Sequence, residues 1–170
     1  MNSLELLKHY VEASEPTLNS ELRKGKMTQD ALLFDALFKL ENVPSKLYRW
    51  VPEKYIKFEN GIYKDPAYLS CSKDVDSFLN HVDGDKMACF VIEMPTKAKC
   101  INVQKLLPCH NEEGEYILPR NAQLQINNQK TIESANLMER FIREENGEIS
   151  AKWFKETGIS CVSVYYMVMA

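Results

Sequence analysis

The sequence predicts an α+β domain in which a helical N-terminal layer packs on a mostly antiparallel, two-sheet β core. Three observations predict it. Over the first forty residues the apolar positions recur at helical spacing. From residue 46 onward the chain breaks into short runs rich in β-branched and aromatic residues, each bounded by Pro, Gly, Asn or Asp. Those runs do not alternate regularly with helices, which disfavours a doubly wound parallel sheet. A chain of 170 residues suits one domain with a real core, divided into a helical layer (1–45) and a β core (46–170).

In the helical layer Leu4, Leu7 and Val11 form a stripe flanked by Leu6 and Tyr10, and Pro16 closes the segment. "TLNSELRKG" is a second short helix that stops at Gly25. "MTQDALLFDALFKL" (27–40) is the clearest of the three, with Thr28 as N-cap and Leu32, Leu33, Ala36, Leu37 and Leu40 as the buried stripe. The expected strands are "KLYRWV" (46–51), "AYLS" (67–70), "ACFVIEM" (88–94), "KCINV" (99–103), "EYILP" (115–119), "AQLQI" (122–126) and "CVSVYYMVM" (161–169). A short helix, "KDVDSFLNHV" (73–82), separates the second and third strands, and "SANLMERFIREE" (134–145) precedes the last.

Composition narrows the function classes. The net charge of −3, from 21 basic and 24 acidic side chains, disfavours a general nucleic-acid or anionic-membrane binder. No apolar run approaches the ~18 residues a membrane span needs, and "MNSLELLKHYVEASEP" lacks the pattern of a secretory signal. Five cysteines without paired spacing suggest free thiols in a reducing compartment, hence a cytoplasmic protein. There is no C-x-x-C, and Cys109 and His110 lack partners at zinc-ligand spacing, so no metal is expected. The six glycines form neither G-x-G-x-x-G nor a phosphate-binding P-loop. His9, His81 and His110 have no evident orienting partner for general-base work.

Three polar features remain on strands that should be mostly apolar. Arg49 lies inside "KLYRWV", Ser70 and Ser72 follow "AYL", and Glu113 and Glu115 precede "YILP". Residues i and i+2 of a strand share a face, so Glu113 and Glu115 can stand side by side. Two carboxylates that close repel and need a cation or hydroxyl donor nearby. Singly, each feature has an ordinary explanation: a snorkelling edge arginine, serines that cap a helix, an acidic turn.

Together, in the order Arg, Ser-x-Ser, Glu-x-Glu, they resemble the mono-ADP-ribosyltransferases with an arginine–serine–glutamate triad, as in binary toxins and phage enzymes. The resemblance rests on "LYRW", "YLSCSKD" and "EGEYILPR" and covers roughly residues 46–168. Two departures stand out. Trp50 replaces the glycine common after the motif arginine, which changes a wall of the pocket. Cys71 replaces the central threonine of Ser-Thr-Ser, with its side chain expected to point away from the serines.

The resemblance implies NAD as co-substrate, a protein acceptor, and no metal. It assigns Glu115 to the positive charge that develops at the ribose when the nicotinamide bond breaks. Ser70 would orient Glu115, Arg49 would hold the diphosphate, and Glu113 would engage the acceptor, usually an arginine guanidinium. Trp50 and Ser72 would complete the NAD site. Tyr68 or Phe78 would wall the nicotinamide, each being equally readable as a core aromatic. An NAD glycohydrolase shares every donor-side residue; a catalytically inactive binding module of the same fold is expected to have lost one of Arg49, Ser70 or Glu115, and all are present. A protein acting in another cell would need a non-classical route out of its own.

Overall fold

The computed structural model describes residues 1–13, 15–79, 84–110 and 114–169. Three helices come first: α1 (Ser3–Glu12), α2 (Thr17–Arg23) and α3 (Gln29–Asp35). Asn2 and Glu5 form a reciprocal cap on α1, and Thr28 Oγ1 accepts from Ala31 N–H at 3.2 Å to start α3. Strands β1 (Lys39–Asn42), β2 (Lys46–Pro52), β3 (Phe58–Glu59), β4 (Ile62–Lys64), β5 (Leu69–Ser72), β6 (Lys86–Glu93) and β7 (Lys97–Asn102) follow. The chain continues through α4 (Val103–Leu106), β8 (Glu115–Leu118), β9 (Gln123–Ile132), α5 (Ala135–Glu144), α6 (Ala151–Thr157) and β10 (Cys161–Met169).

The strands order as β1-β7-β8-β5-β2-β6-β10-β9-β4-β3, and among the described residues only β6 with β10 is a parallel pair. The expected two sheets are the two halves of this ladder. They join where β2 meets β5, through one residue pair, Tyr48 with Ser72. Leu47, Phe90 and Tyr165 of one half and Leu69, Cys71 and Leu118 of the other share an apolar cluster. Behind the β2/β6/β10 half, α5 and α6 supply Met138, Phe141, Ile142 and Phe154 to a second cluster. Behind the β5/β8/β7 half, α1–α3 supply Leu7, Tyr10, Leu18 and Phe34 to a third. Helices that are short and marginal alone are held by these amphipathic faces.

Several sequence expectations need correction. The stripe of α1 is Leu6, Leu7 and Tyr10, while Leu4 is exposed. Helix α3 stops at Asp35, and its buried residues are Ala31 and Phe34; Leu33 and Leu37 pack half-buried against the same cluster, while Leu32 and Leu40 are exposed. Phe34 stacks on Tyr10 and meets Phe38 and Tyr68, so the larger aromatic surface turns the helix and leaves Leu32 in water. Residues 39–42 become β1 because they pair with β7, and Leu40 stands opposite Lys99 on that edge.

Strand β5 starts at Leu69, since Ala67 N–H is taken by Asp65 Oδ1 and Tyr68 N–H by Asn19 Oδ1. Of the helix expected over 73–82, residues 73–78 form bends and turns and Leu79 is in a 3-10 position. The β3–β4 hairpin was not anticipated, although its Asn60-Gly61 loop, with φ of 53° and 75°, is the pairing a two-residue turn favours. Helix α6 was also missed despite its Ser150 cap and left-handed Gly158.

Candidate active site

The seam between the two half-sheets positions the polar motif residues. Along β2, Tyr48 and Trp50 face the cluster under α5 and α6, while Leu47 and Val51 face the shared cluster. Alternation puts Arg49 on the face of Leu47 and Val51, a core-facing place for a charge. Because β2 and β5 pair only once, the carbonyl of Ser70 is open to a side chain. Arg49 Nη1 donates to it at 2.9 Å. Arg49 Nε is buried and, among the described residues, has no hydrogen-bond partner.

Strand β5 pairs with β8 in the register Ser70–Ile117 and Ser72–Glu115. The two serines, Glu115 and Ile117 therefore share one face, and Cys71 lies on the other, in the core, as the sequence suggested. Ser72 is fully buried and its Oγ accepts from Asp74 N–H at 3.0 Å. Glu115 is also buried, at 8% exposure. The residue in register with Glu115 is thus Ser72. Ser70, expected to orient Glu115, donates its hydroxyl to Tyr10 at 3.1 Å.

Arg49, Trp50, Ser70, Phe78 and Glu115 line one cleft of about 520 Å³, whose other wall comes from α1 and α2. Trp50 is fixed by a 2.6 Å bond from its indole N–H to Val75 O. That bond also anchors the turn carrying Phe78, so the tryptophan in the glycine position ties a wall of the cleft to β2. Tyr68 does not join them. It has no exposed surface, its ring packs against Phe34 and Phe38, and its hydroxyl donates to Asp35 at 2.6 Å. It is a core aromatic. Glu113 and His81 lie outside the described residues. His110, expected to lack a partner, holds Nε2 3.7 Å from Glu12, which lines the cleft.

The helical layer adds cleft residues that sequence reasoning missed: Tyr10, Asn19 and Arg23. Asn19 is buried in α2 and reads both backbone groups of Tyr68, accepting from N–H and donating to C=O, each at 3.1 Å. Its amide also donates to Tyr10 at 3.1 Å. Arg23 forks onto Asp65 at 3.0 and 3.3 Å. The available signal was a polar residue on the Leu18–Leu22 face of a short helix, with a cation one turn further on.

Electrostatics follow from burial. Burial raises the Tyr10 phenol, although Ser70 and Asn19 oppose it by hydrogen bonding, so Tyr10 stays neutral beside Glu115. Burial raises the Asp65 carboxyl, but the Arg23 bonds and Ala67 N–H outweigh it and the net direction is down. Burial pushes the Cys71 thiol up to about 12. Among the described residues no group of three His, Cys, Asp or Glu side chains is placed to hold a metal ion. Nor is any described helix long and apolar enough to cross a membrane.

No family model and no curated protein matches the chain. Its likenesses are to solved structures. It resembles the catalytic domain of VahC from Aeromonas hydrophila over 100% of both chains, at 13% identity and a TM-score of 0.64. It resembles Vis toxin, an ADP-ribosyltransferase from Vibrio splendidus, over 99% of this chain and 72% of that one, at 16% identity and 0.62. BECa, an ADP-ribosylating toxin from C. perfringens solved with NADH, is matched over 99% of this chain and 43% of that one, at 10% identity and 0.63. The fold is that of ADP-ribosyltransferase toxins.

Proposed function

We propose that the protein is an NAD-dependent mono-ADP-ribosyltransferase that moves ADP-ribose to a protein side chain, an arginine, and releases nicotinamide. The carrying observation is convergence: Arg49, Ser70 and Glu115, far apart in sequence and on three strands, line one cleft at the sheet seam. The donor set fits the co-substrate. Arg49 spends one N–H on Ser70 O and keeps a buried Nε with no partner among the described residues, a donor suited to a diphosphate oxygen. No glycine-rich loop is then needed. The similarity to BECa, solved with NADH, agrees with a nicotinamide dinucleotide here.

On this reading each residue takes a distinct role. Cleavage of the nicotinamide–ribose bond builds positive charge at the ribose, and a carboxylate held beside the sugar stabilises it. Glu115 serves there, its backbone fixed by the ladder to Ser72. Ser70 and the neutral Tyr10 form a hydroxyl pair that bridges the two walls of the cleft. Glu113, two residues ahead, takes the proton that an arginine acceptor must give up before it attacks. Free cysteines at all five positions suit a reducing compartment, the cytoplasm of the cell in which the protein acts.

The test is nicotinamide release from NAD, with label transfer to lysate proteins followed on the same preparation. Glu115→Gln should lower release about 10²- to 10³-fold, the usual effect of removing one preorganised transition-state contact. Near-wild-type turnover in folded Glu115→Gln protein sinks the assignment. Release without protein label makes the protein an NAD glycohydrolase.

A further inference from the structure

Between the two glutamates stands Gly114, and its surroundings are unusually tight. Its φ is +54°, in the left-handed region that side chains rarely adopt. A Cβ built on it would lie 2.6 Å from Lys73 Cγ, 2.9 Å from Cε and 3.1 Å from Cδ. The Lys73 stem therefore lies along the space that a side chain at 114 would fill. Lys73 N–H also donates to Gly114 O at 3.0 Å, carrying the β5–β8 pairing one step beyond Ser72–Glu115.

From this geometry we infer that Lys73 and Gly114 are positioning residues: together they lock the backbone that carries Glu115 into the cleft. The inference rests on the proposed transferase reading. Two features make it a lock rather than an ordinary turn. The closest stem atom is Cγ, one bond from Cβ, so it can clear a new side chain only by changing its first torsion. The same residue holds Gly114 by its backbone, so Lys73 cannot retreat as a whole without releasing that bond. Both adjustments fall one residue from Glu115 on the 114 side and one residue from Ser72 on the 73 side. A displacement there moves the carboxylate relative to Arg49 and Ser70.

The experiment is a cycle of Gly114→Ala, Lys73→Ala and the double variant, with kcat and KM for nicotinamide release and NAD affinity from quenching of tryptophan fluorescence, Trp50 being in the cleft. Gly114→Ala should lower kcat about 100-fold, the scale of a misplacement near 1 Å, while NAD affinity stays close to wild type. Lys73→Ala alone loosens the same peptide and should cost less. In the double variant the clashing atoms are gone, and kcat should rise above that of Gly114→Ala.

Wild-type kcat in Gly114→Ala overturns the lock, as does a folded double variant no faster than Gly114→Ala. A parallel loss of kcat and NAD affinity in Gly114→Ala also overturns it, since that reports a collapsed cleft. An unsubstituted protein that neither quenches with NAD nor releases nicotinamide refutes the functional reading itself, an outcome separate from those three.

Discussion

Replacing Asn19 by alanine removes three hydrogen bonds at one buried point, and its cost can be worked from the geometry. Asn19 sits at 5% exposure and satisfies both backbone groups of Tyr68, just ahead of β5. In the variant Tyr68 O keeps a longer bond from Tyr10 at 3.4 Å, and Tyr10 keeps its bond from Ser70. Tyr68 N–H keeps nothing in that position. A buried donor left unsatisfied costs about 1–3 kcal/mol, and the other lost bonds add about 1 kcal/mol net.

Alanine's better helix propensity in α2 returns about 0.6 kcal/mol. The expected loss is about 1.4–3.4 kcal/mol, or roughly 3–14 °C in Tm for a chain of this size. Urea denaturation should show a lower midpoint with unchanged slope. The slackened Tyr10–Ser70 pair should also lower nicotinamide release. A variant within about 0.5 kcal/mol of wild type, the range of an ordinary surface change, refutes the idea that Asn19 clamps the helical layer to the sheet.

Three further outcomes are expected. Glu113→Gln should remove label transfer to protein while leaving nicotinamide release measurable, because glutamine keeps the shape but cannot accept a proton from a guanidinium; equal loss of both places Glu113 in the donor site. Native alkylation at pH 8 should label exposed Cys109 and spare Cys71 and Cys100, whose thiols burial pushes up to about 12 and about 11, and labelled protein should keep its activity. Asp65 has a lowered carboxyl, so its contribution is complete above the ordinary value of about 3.9 and is lost as pH falls through the lower folded value. Wild type should therefore exceed Asp65→Asn in stability by a constant margin at neutral to weakly acid pH, and that margin should shrink below about pH 4; a margin independent of pH removes the ion pair from the account.

The strands bearing the motif were legible because β-branched and aromatic runs between turn residues are a local signal. The order Arg49, Ser70, Glu115 was legible too, since it needs only sequence. The helical stripes were misread: Phe34 and Phe38 compete for the same core as the leucines, and only the aromatic neighbours Tyr10 and Tyr68 decide which wins. The single junction of β2 with β5 depends on pairings made elsewhere, so no window of residues contains it. Tyr68 illustrates the limit. Its type suits a nicotinamide wall, but the hydrogen bonds of Asp35 and Asn19, from two other helices, fix it in the interior.

The position of β10 bears on when its half of the sheet can close up. The chain's last strand is wedged between β6 and β9, pairing with β6 in parallel and β9 antiparallel. The β5–β8–β7–β1 half is complete in sequence by Leu118, so on a ribosome it can pair while the remainder is still being made. The half that carries Arg49 must wait for residues 161–169, since Val162, Val164, Tyr165 and Met167 fill two of its clusters. Such distant pairing is slow to form and leaves strand edges open meanwhile. Vectorial synthesis thus delivers every motif strand before the strand that braces β6, so a nascent or C-terminally clipped chain carries the parts of the cleft without their full frame.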